Sequence, residues 1–240
     1  MTIQRLRTPF ALLLVTVIAA VGCGGDTGEE AASPDTIAPA DTMPINPLLF
    51  PGSGDLTQTA PDIFRARFET TVGDFVVEVY REWSPNGADR FYNLVDGGYY
   101  DGVRFFRVIS GFMAQFGIHP DPAVSAQWRV AMIADDPVVE SNTRGILTFA
   151  KSSVPDSRTT QVFINLVNNS GLDEMGFSPF GEVVSGMDVV DQLYNAYGDG
   201  PPGGDGPEQG RIIAEGEGYL AESFPELDQV IQATIEAGGA

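Results

Sequence analysis

Between residues 105 and 117 the chain reads FFRVISGFMAQFG, which sets Arg107 and Gln115 among phenylalanines, a methionine and small residues. A guanidinium is a planar fork of N–H donors that stays charged at any working pH. Alone in a β-rich chain such a group usually pairs with a surface acid; in an apolar groove it can instead donate to a bound molecule. Strand alternation points Met113 and Gln115 the same way, so Gln115 is placed to hydrogen-bond the guanidinium and fix its orientation, with Phe112 at the adjacent turn. In TTQVFINL, residues 159–166, the same period separates Gln161 and Phe163 from Val162 and Ile164 and leaves the latter pair for a core.

Elements are needed to hold these segments. IFRARFETTVGDFVVEVY, from residue 63, is two alternating runs with turn chemistry at Gly73 and Asp74, and predicts a β-hairpin. SPNGADRFYNLVDGG predicts a short helix, with Ser84 as N-cap, Pro85 at its first position, Phe91, Leu94 and Val95 on one face and Gly97 as the stop. Further strands are expected at 103–109, 112–117, 145–150, 161–167 and 180–185, and an edge or closing strand with Ile231, Ala233 and Ile235 on one face. A second helix is expected over SGMDVVDQLYNAYGDG, with Val189, Val190 and Leu193 on one face and Gly198 ending it. GDGPPGGDGP reads as a flexible loop, followed by an extra C-terminal helix from Pro207 to about residue 222. Spacing of this kind suggests a β-barrel or sandwich.

The first 22 residues carry Arg5 and Arg7 before the uncharged run PFALLLVTVIAAVG, and read as a secretion signal, too short to span a bilayer. AAVGC places small residues before the single cysteine and resembles the bacterial lipobox, so Cys23 is expected to carry a lipid; ordinary cleavage after Gly22, leaving a free thiol, is the alternative. Residues 23–60 then form an anchor cysteine and an acidic tether rich in Pro, Thr and Ala, with one apolar island, INPLLFPG, and residues 61–240 form the folded domain. The expected location is the bacterial cell envelope, exported, lipid-anchored to the membrane and periplasm-facing.

A formal charge of −20 over 240 residues repels phosphate backbones and argues against nucleic-acid binding. His119, the single histidine, lacks the neighbouring ligands of a metal site. The glycine-rich loops lack the strand–loop–lysine–helix context of a nucleotide site. Asp135-Asp136 and the Asp173-Glu174 pair read as solvated loop charges.

Set beside one another, FFRVISGFMAQFG, GILTFAKSS, TTQVFINL and GLDEMGFSPFGEVVSGMDVV resemble the cyclophilin family of peptidyl-prolyl isomerases in order, spacing and residue type, over about residues 63–236. The resemblance implies a mainly β fold: a closed eight-stranded antiparallel barrel capped by two α-helices, with an external groove for extended proline-containing peptides. It implies Arg107, Phe112 and Gln115 as catalytic residues. Met113, Phe163 and Leu172 would line the proline pocket, with Ala150 beside the substrate backbone, Gln161 contacting that backbone, and Lys151 and Phe177 as further substrate contacts. No cofactor or metal is implied, and a monomer is expected.

Three positions depart from the family pattern: Gly171 where a tryptophan is common, Lys151 where an asparagine is common, and Phe177 where a histidine is common. The missing indole argues against strong cyclosporin binding, and Lys151 is expected to meet acidic residues flanking the proline. The implied function is isomerisation of X-Pro bonds during folding of exported proteins; a proline-peptide-binding chaperone or scaffold of little turnover is the alternative. The catalytic reading requires Arg107 to face an external cleft and not to be buried against an acid.

Overall fold

The structure, a computed structural model, describes residues 46–236. The signal segment, Cys23 and the first part of the tether lie outside the described residues. Strands β1 (Ile63–Thr70) and β2 (Gly73–Tyr80) form the expected hairpin, paired from Ile63–Tyr80 to Thr70–Gly73. The chain reverses at Thr71 and Val72, and Gly73 begins β2 with φ of +131°. Strict alternation buries Phe64, Ala66 and Phe68 of β1 against Phe75, Val77 and Val79 of β2, and the Phe68 and Phe75 rings stack 5.0 Å apart.

Helix α1 (Pro85–Asp96) also forms where the sequence places it, with Phe91, Leu94 and Val95 buried and the Gly97 N–H closing on Asn93 O. Its N-terminus is capped differently from the expectation. Ser84 makes no side-chain cap; its hydroxyl donates to Asp136. Asp136 itself, from a loop distant in sequence, accepts the N–H groups of Asn86 (3.3 Å) and Gly87 (3.0 Å). The first turn's orphan donors are thus satisfied by an imported carboxylate.

Strands β3 (Arg107–Ile109), β4 (Met113–Phe116), β5 (Ile146–Phe149), β6 (Val162–Asn165), β7 (Pro179–Ser185) and β8 (Val230–Ile235) complete one eight-stranded antiparallel sheet ordered β3-β4-β6-β5-β7-β2-β1-β8. The sheet curls around its core as a half-barrel that stays open, which corrects the closed barrel expected from sequence. No ladder joins the edge strands β3 and β8 among the described residues; the segment ahead of β3 meets the start of β8 through the isolated Arg104–Gln229 bridge and backbone hydrogen bonds from Phe105 N–H to Asp228 O, Gly102 N–H to Val230 O and Val230 N–H to Val103 O. In β8 the predicted apolar face holds at Ala233, which is buried, and at Ile235, which packs against the core, but not at Ile231. A register shift opposite Glu69 and Thr70 changes the parity at the start of the strand, so Val230 is buried in its place and Ile231 is 55% exposed.

The helix expected over residues 185–198 shrinks to one turn, α3 (Met187–Val190). Val190 and Leu193 still bury, but beyond the turn the Tyr194 N–H donates to the Asp228 carboxylate (2.7 Å), and this tertiary hydrogen bond accompanies the loss of helical continuation. A helix the sequence reading missed, α2 (Pro122–Trp128), starts from an Asp121 cap and buries Val124 and Trp128. The apolar island of the tether packs here: Leu48 is buried and its carbonyl accepts the Trp128 indole N–H at 2.8 Å. Leu56 is also buried, so residues upstream of 61 take part in the folded unit.

The expected C-terminal helix is two, α4 (Gln209–Glu215) and α5 (Glu217–Ser223), broken at Gly216 (φ +63°), where a Cβ would lie 2.2 Å from the Pro120 carbonyl oxygen. Ile212, Tyr219 and Leu220 from this pair form a second apolar cluster with Phe106, Ile118 and Leu227. That cluster ties α4 and the glycine-rich loop before it to the strand carrying Arg107.

Candidate active site

Register assembles the site. Arg107 of β3 lies opposite Gln115 of β4, and Gln115 lies opposite Phe163 of β6. Residues directly opposed across antiparallel strands share a face, with Cβ atoms about 4.5–5.5 Å apart. The other face of the same strands, Ala114, Phe116, Val162 and Ile164, belongs to the main core.

On the outer face is a cleft of about 400 Å³. Phe112, Met113, Phe163, Leu172 and Phe177 supply its apolar lining, and the Phe163 and Phe177 rings meet edge to face at 5.9 Å. Arg107, Gln115 and Gln161 supply a polar row. Arg107 Nη1 donates to Gln115 Oε1 (3.0 Å), and Gln115 Nε2 donates to Gln161 Oε1 (2.8 Å). The chain of donors leaves the Gln161 amide N–H groups without a protein partner among the described residues. Ala150 borders the cleft beside Gln161, whose carbonyl accepts the Ala150 N–H at 2.9 Å.

All ten expected site residues of the domain therefore border one cleft, but two of them have partners that the sequence reading missed. The Lys151 ammonium is already engaged, by Asp135 Oδ2 at 3.0 Å and the Gly176 carbonyl at 3.3 Å, with 12% of the side chain exposed. Its expected contact with substrate acids would have to displace that pair. Arg107 is held by Asp199: Nε donates to Oδ1 at 2.6 Å and Nη2 to Oδ2 at 3.1 Å. The pair is not buried, since the two side chains are 25% and 35% exposed. Three of the five guanidinium N–H groups are used, and one on each of Nη1 and Nη2 has no protein partner among the described residues. The arginine hydrogen bonds hold the Asp199 carboxyl below the usual carboxylate range.

Ser152, Ser157, Thr159 and Gln209 also border the cleft and were missed, because nothing in their spacing distinguishes a lining hydroxyl from a solvated one. The expectation for the acid pairs is corrected as well. Asp136 is buried, and its side chain meets Arg158 Nη2 at 2.9 Å, while Asp173 accepts from Ser141 and Asn142.

Comparison with known proteins agrees with this geometry. The family model "Cyclophilin type peptidyl-prolyl cis-trans isomerase/CLD" matches residues 65–215. A peptidyl-prolyl cis-trans isomerase of Acinetobacter baylyi is 35% identical over 131 residues, covering 53% of this chain and 70% of that protein. Peptidyl-prolyl cis-trans isomerase B of Escherichia coli is 34% identical over 174 residues, covering 69% of this chain and 95% of that protein. In structure, a cyclophilin-type isomerase of Cryptosporidium parvum superposes with a TM-score of 0.55 at 21% identity, covering 74% of this chain and 99% of its own. The chain belongs to the cyclophilin-type peptidyl-prolyl cis-trans isomerases and is an enzyme of that class.

Proposed function

We propose that this isomerase binds proline-containing segments of exported polypeptides at the bacterial cell envelope, with Arg107 stabilising the twisted X-Pro bond. Rotating that bond breaks the resonance that keeps it planar, against a barrier of about 18–20 kcal/mol. The prolyl nitrogen then regains a basic lone pair. A guanidinium N–H aimed at that nitrogen makes a hydrogen bond stronger in the twisted state than in the flat one, which is the condition for acceleration. Phe112, Met113, Phe163 and Leu172 offer the prolyl ring a dry wall, and Gln161 offers donors to the substrate backbone.

The observation that carries this reading is the guanidinium at the cleft, oriented through Gln115 and with two N–H groups free. It is tested by a coupled proline-peptide assay on a soluble fragment. That fragment should run from residue 44, because Leu48 and Leu56 are buried parts of the folded unit. Turnover lost on Arg107 substitution supports the reading. Peptide binding without turnover would instead favour a holding module.

For the envelope location, the support is the sequence ahead of Cys23. Mass spectrometry of the mature N-terminus is expected to show acyl chains on Cys23, and Cys23→Ser is expected to release the protein from membranes. An unmodified start, or a variant that stays membrane-bound, would refute the lipid anchor.

Gly171 yields a separate expectation. A Cβ there meets nothing within 4 Å, and the neighbouring Leu172 borders the cleft. Gly171→Trp is therefore expected to be accepted by the fold and to add aromatic surface at the cleft. It should tighten cyclosporin binding by about tenfold, roughly 1.4 kcal/mol, in a calorimetric titration.

A further inference from the structure

We propose that Asp199 is a positioning residue for isomerisation, clamping the Arg107 guanidinium from behind so that its free N–H groups face the cleft. This rests on the role given to Arg107 above. Asp199 takes the Nε and Nη2 edge through both carboxylate oxygens, and Gln115 takes Nη1. Two acceptors on different edges fix both the position and the plane of a group that otherwise swings on a flexible stem.

The direction of approach separates a clamp from a competitor. Asp199 does not border the cleft that Phe112, Met113 and Phe163 line. It borders a neighbouring hollow with Phe106, Gly200, Pro201 and Pro207, and Arg107 and Gln209 form the wall the two spaces share. The acid therefore reaches the guanidinium from the side away from the apolar wall.

The loop is shaped to present this acid. Gly206 N–H donates to the Asp199 carbonyl (2.9 Å), and Gly203 and Gly204 N–H groups donate to the Gly200 carbonyl (3.0 and 3.2 Å). A Cβ on Gly204 would lie 2.4 Å from Asp199 O, and one on Gly203 2.8 Å from Asp199 Oδ2. The glycines that look like a flexible linker in the sequence let the loop fold directly onto the aspartate. Downstream, α4 is held through Ile212 in the same apolar cluster as Phe106, the residue before Arg107. The loop and the arginine are thus tied to one support.

A charge-assisted, two-point contact that orients a catalytic donor acts on turnover and leaves the apolar pocket intact. Asp199→Ala is expected to lower kcat about tenfold with KM changed less than about twofold, and Asp199→Asn, of the same size, to fall between. In the Arg107→Ala background the same substitution is expected to have no further effect, giving a strong coupling in a double-mutant cycle. Thermal melts of each variant accompany the kinetics; if Asp199→Ala fails to fold, the Asp199→Asn pair of cycles decides. An unchanged kcat, a higher kcat, or an equal loss in both backgrounds would overturn the clamp, the second by showing that the acid restrains the arginine. If Arg107→Ala itself leaves turnover intact, the role of the arginine falls first, and the two failures are distinguished.

Discussion

Arg107→Ala is expected to lower kcat/KM for a proline peptide by at least about a hundredfold, or roughly 2.7 kcal/mol of transition-state stabilisation. Affinity for the same peptide should fall by less than about threefold, because the proposed ground-state contacts lie at Phe112, Met113, Phe163 and Gln161. An acceleration of about 10⁵ needs about 7 kcal/mol, and on the proposed mechanism one charge-assisted hydrogen bond would carry a large share and the dry wall around it the remainder. Arg107→Lys should rescue little, since an ammonium cannot donate to Gln115 and Asp199 and still present a fixed fork to the substrate. Coupled-assay kinetics beside calorimetric affinities check the split. Equal loss of turnover and binding would mean that the guanidinium holds the ground state and that catalysis lies elsewhere.

The largest expected effect on stability lies at a second, hidden arginine. Arg158 is 1% exposed, and its guanidinium meets Asp136, the Ser84 hydroxyl and the Ala134 carbonyl. Asp136 also accepts the first N–H groups of α1, so one carboxylate closes a helix end and neutralises a buried charge. Asp136→Ala strands the helix end and leaves the buried Arg158 with Asp135 alone, 3.4 Å from its Nε, and is expected to cost about 3 kcal/mol in urea unfolding. Loss within about 1 kcal/mol would mean that water enters and takes over both roles.

The same network sets an acid dependence. Burial alone would raise the Asp136 carboxyl, but hydrogen bonds from Ser84 and Arg158 more than offset it and hold the group below its ordinary value. A carboxyl depressed on folding adds stability that is present above its unfolded pKa of about 4 and drains away as the pH drops through the folded value. Unfolding free energy should therefore fall below about pH 4, and Asp136→Asn should flatten that part of the profile. An unchanged profile in the variant would place the acid sensitivity in other carboxylates.

The clearest sequence signals were those with local causes. The β1–β2 hairpin, α1 and its Gly97 stop, and the division of Gln161 and Phe163 from Val162 and Ile164 all follow from a period of two or 3.6 residues. Burial on one face enforces that period within a few residues of chain. The helix α2 is equally local in its causes, with Asp121 and Pro122 at its start and Val124 and Trp128 four apart, but its seven residues are too few to show a helical period between two strands. The apolar island around Leu48 announced burial but not its partner, since Trp128 lies far along the chain.

By itself, then, the sequence determined the strand and helix faces, the family, and the set of side chains on one side of β4 and β6, because alternation along a strand is a property of neighbouring residues. Tertiary structure alone decided the rest. It left the sheet open at β3 and β8, put Val230 in place of Ile231 on the inner face of β8 at a register shift, and cut the expected 185–198 helix to one turn. It also brought Asp136 to the head of α1 and Asp199 to the back of Arg107. An acid in a glycine-rich loop reads the same whether water or a distant guanidinium receives it, and only the packing that closes long loops chooses between them.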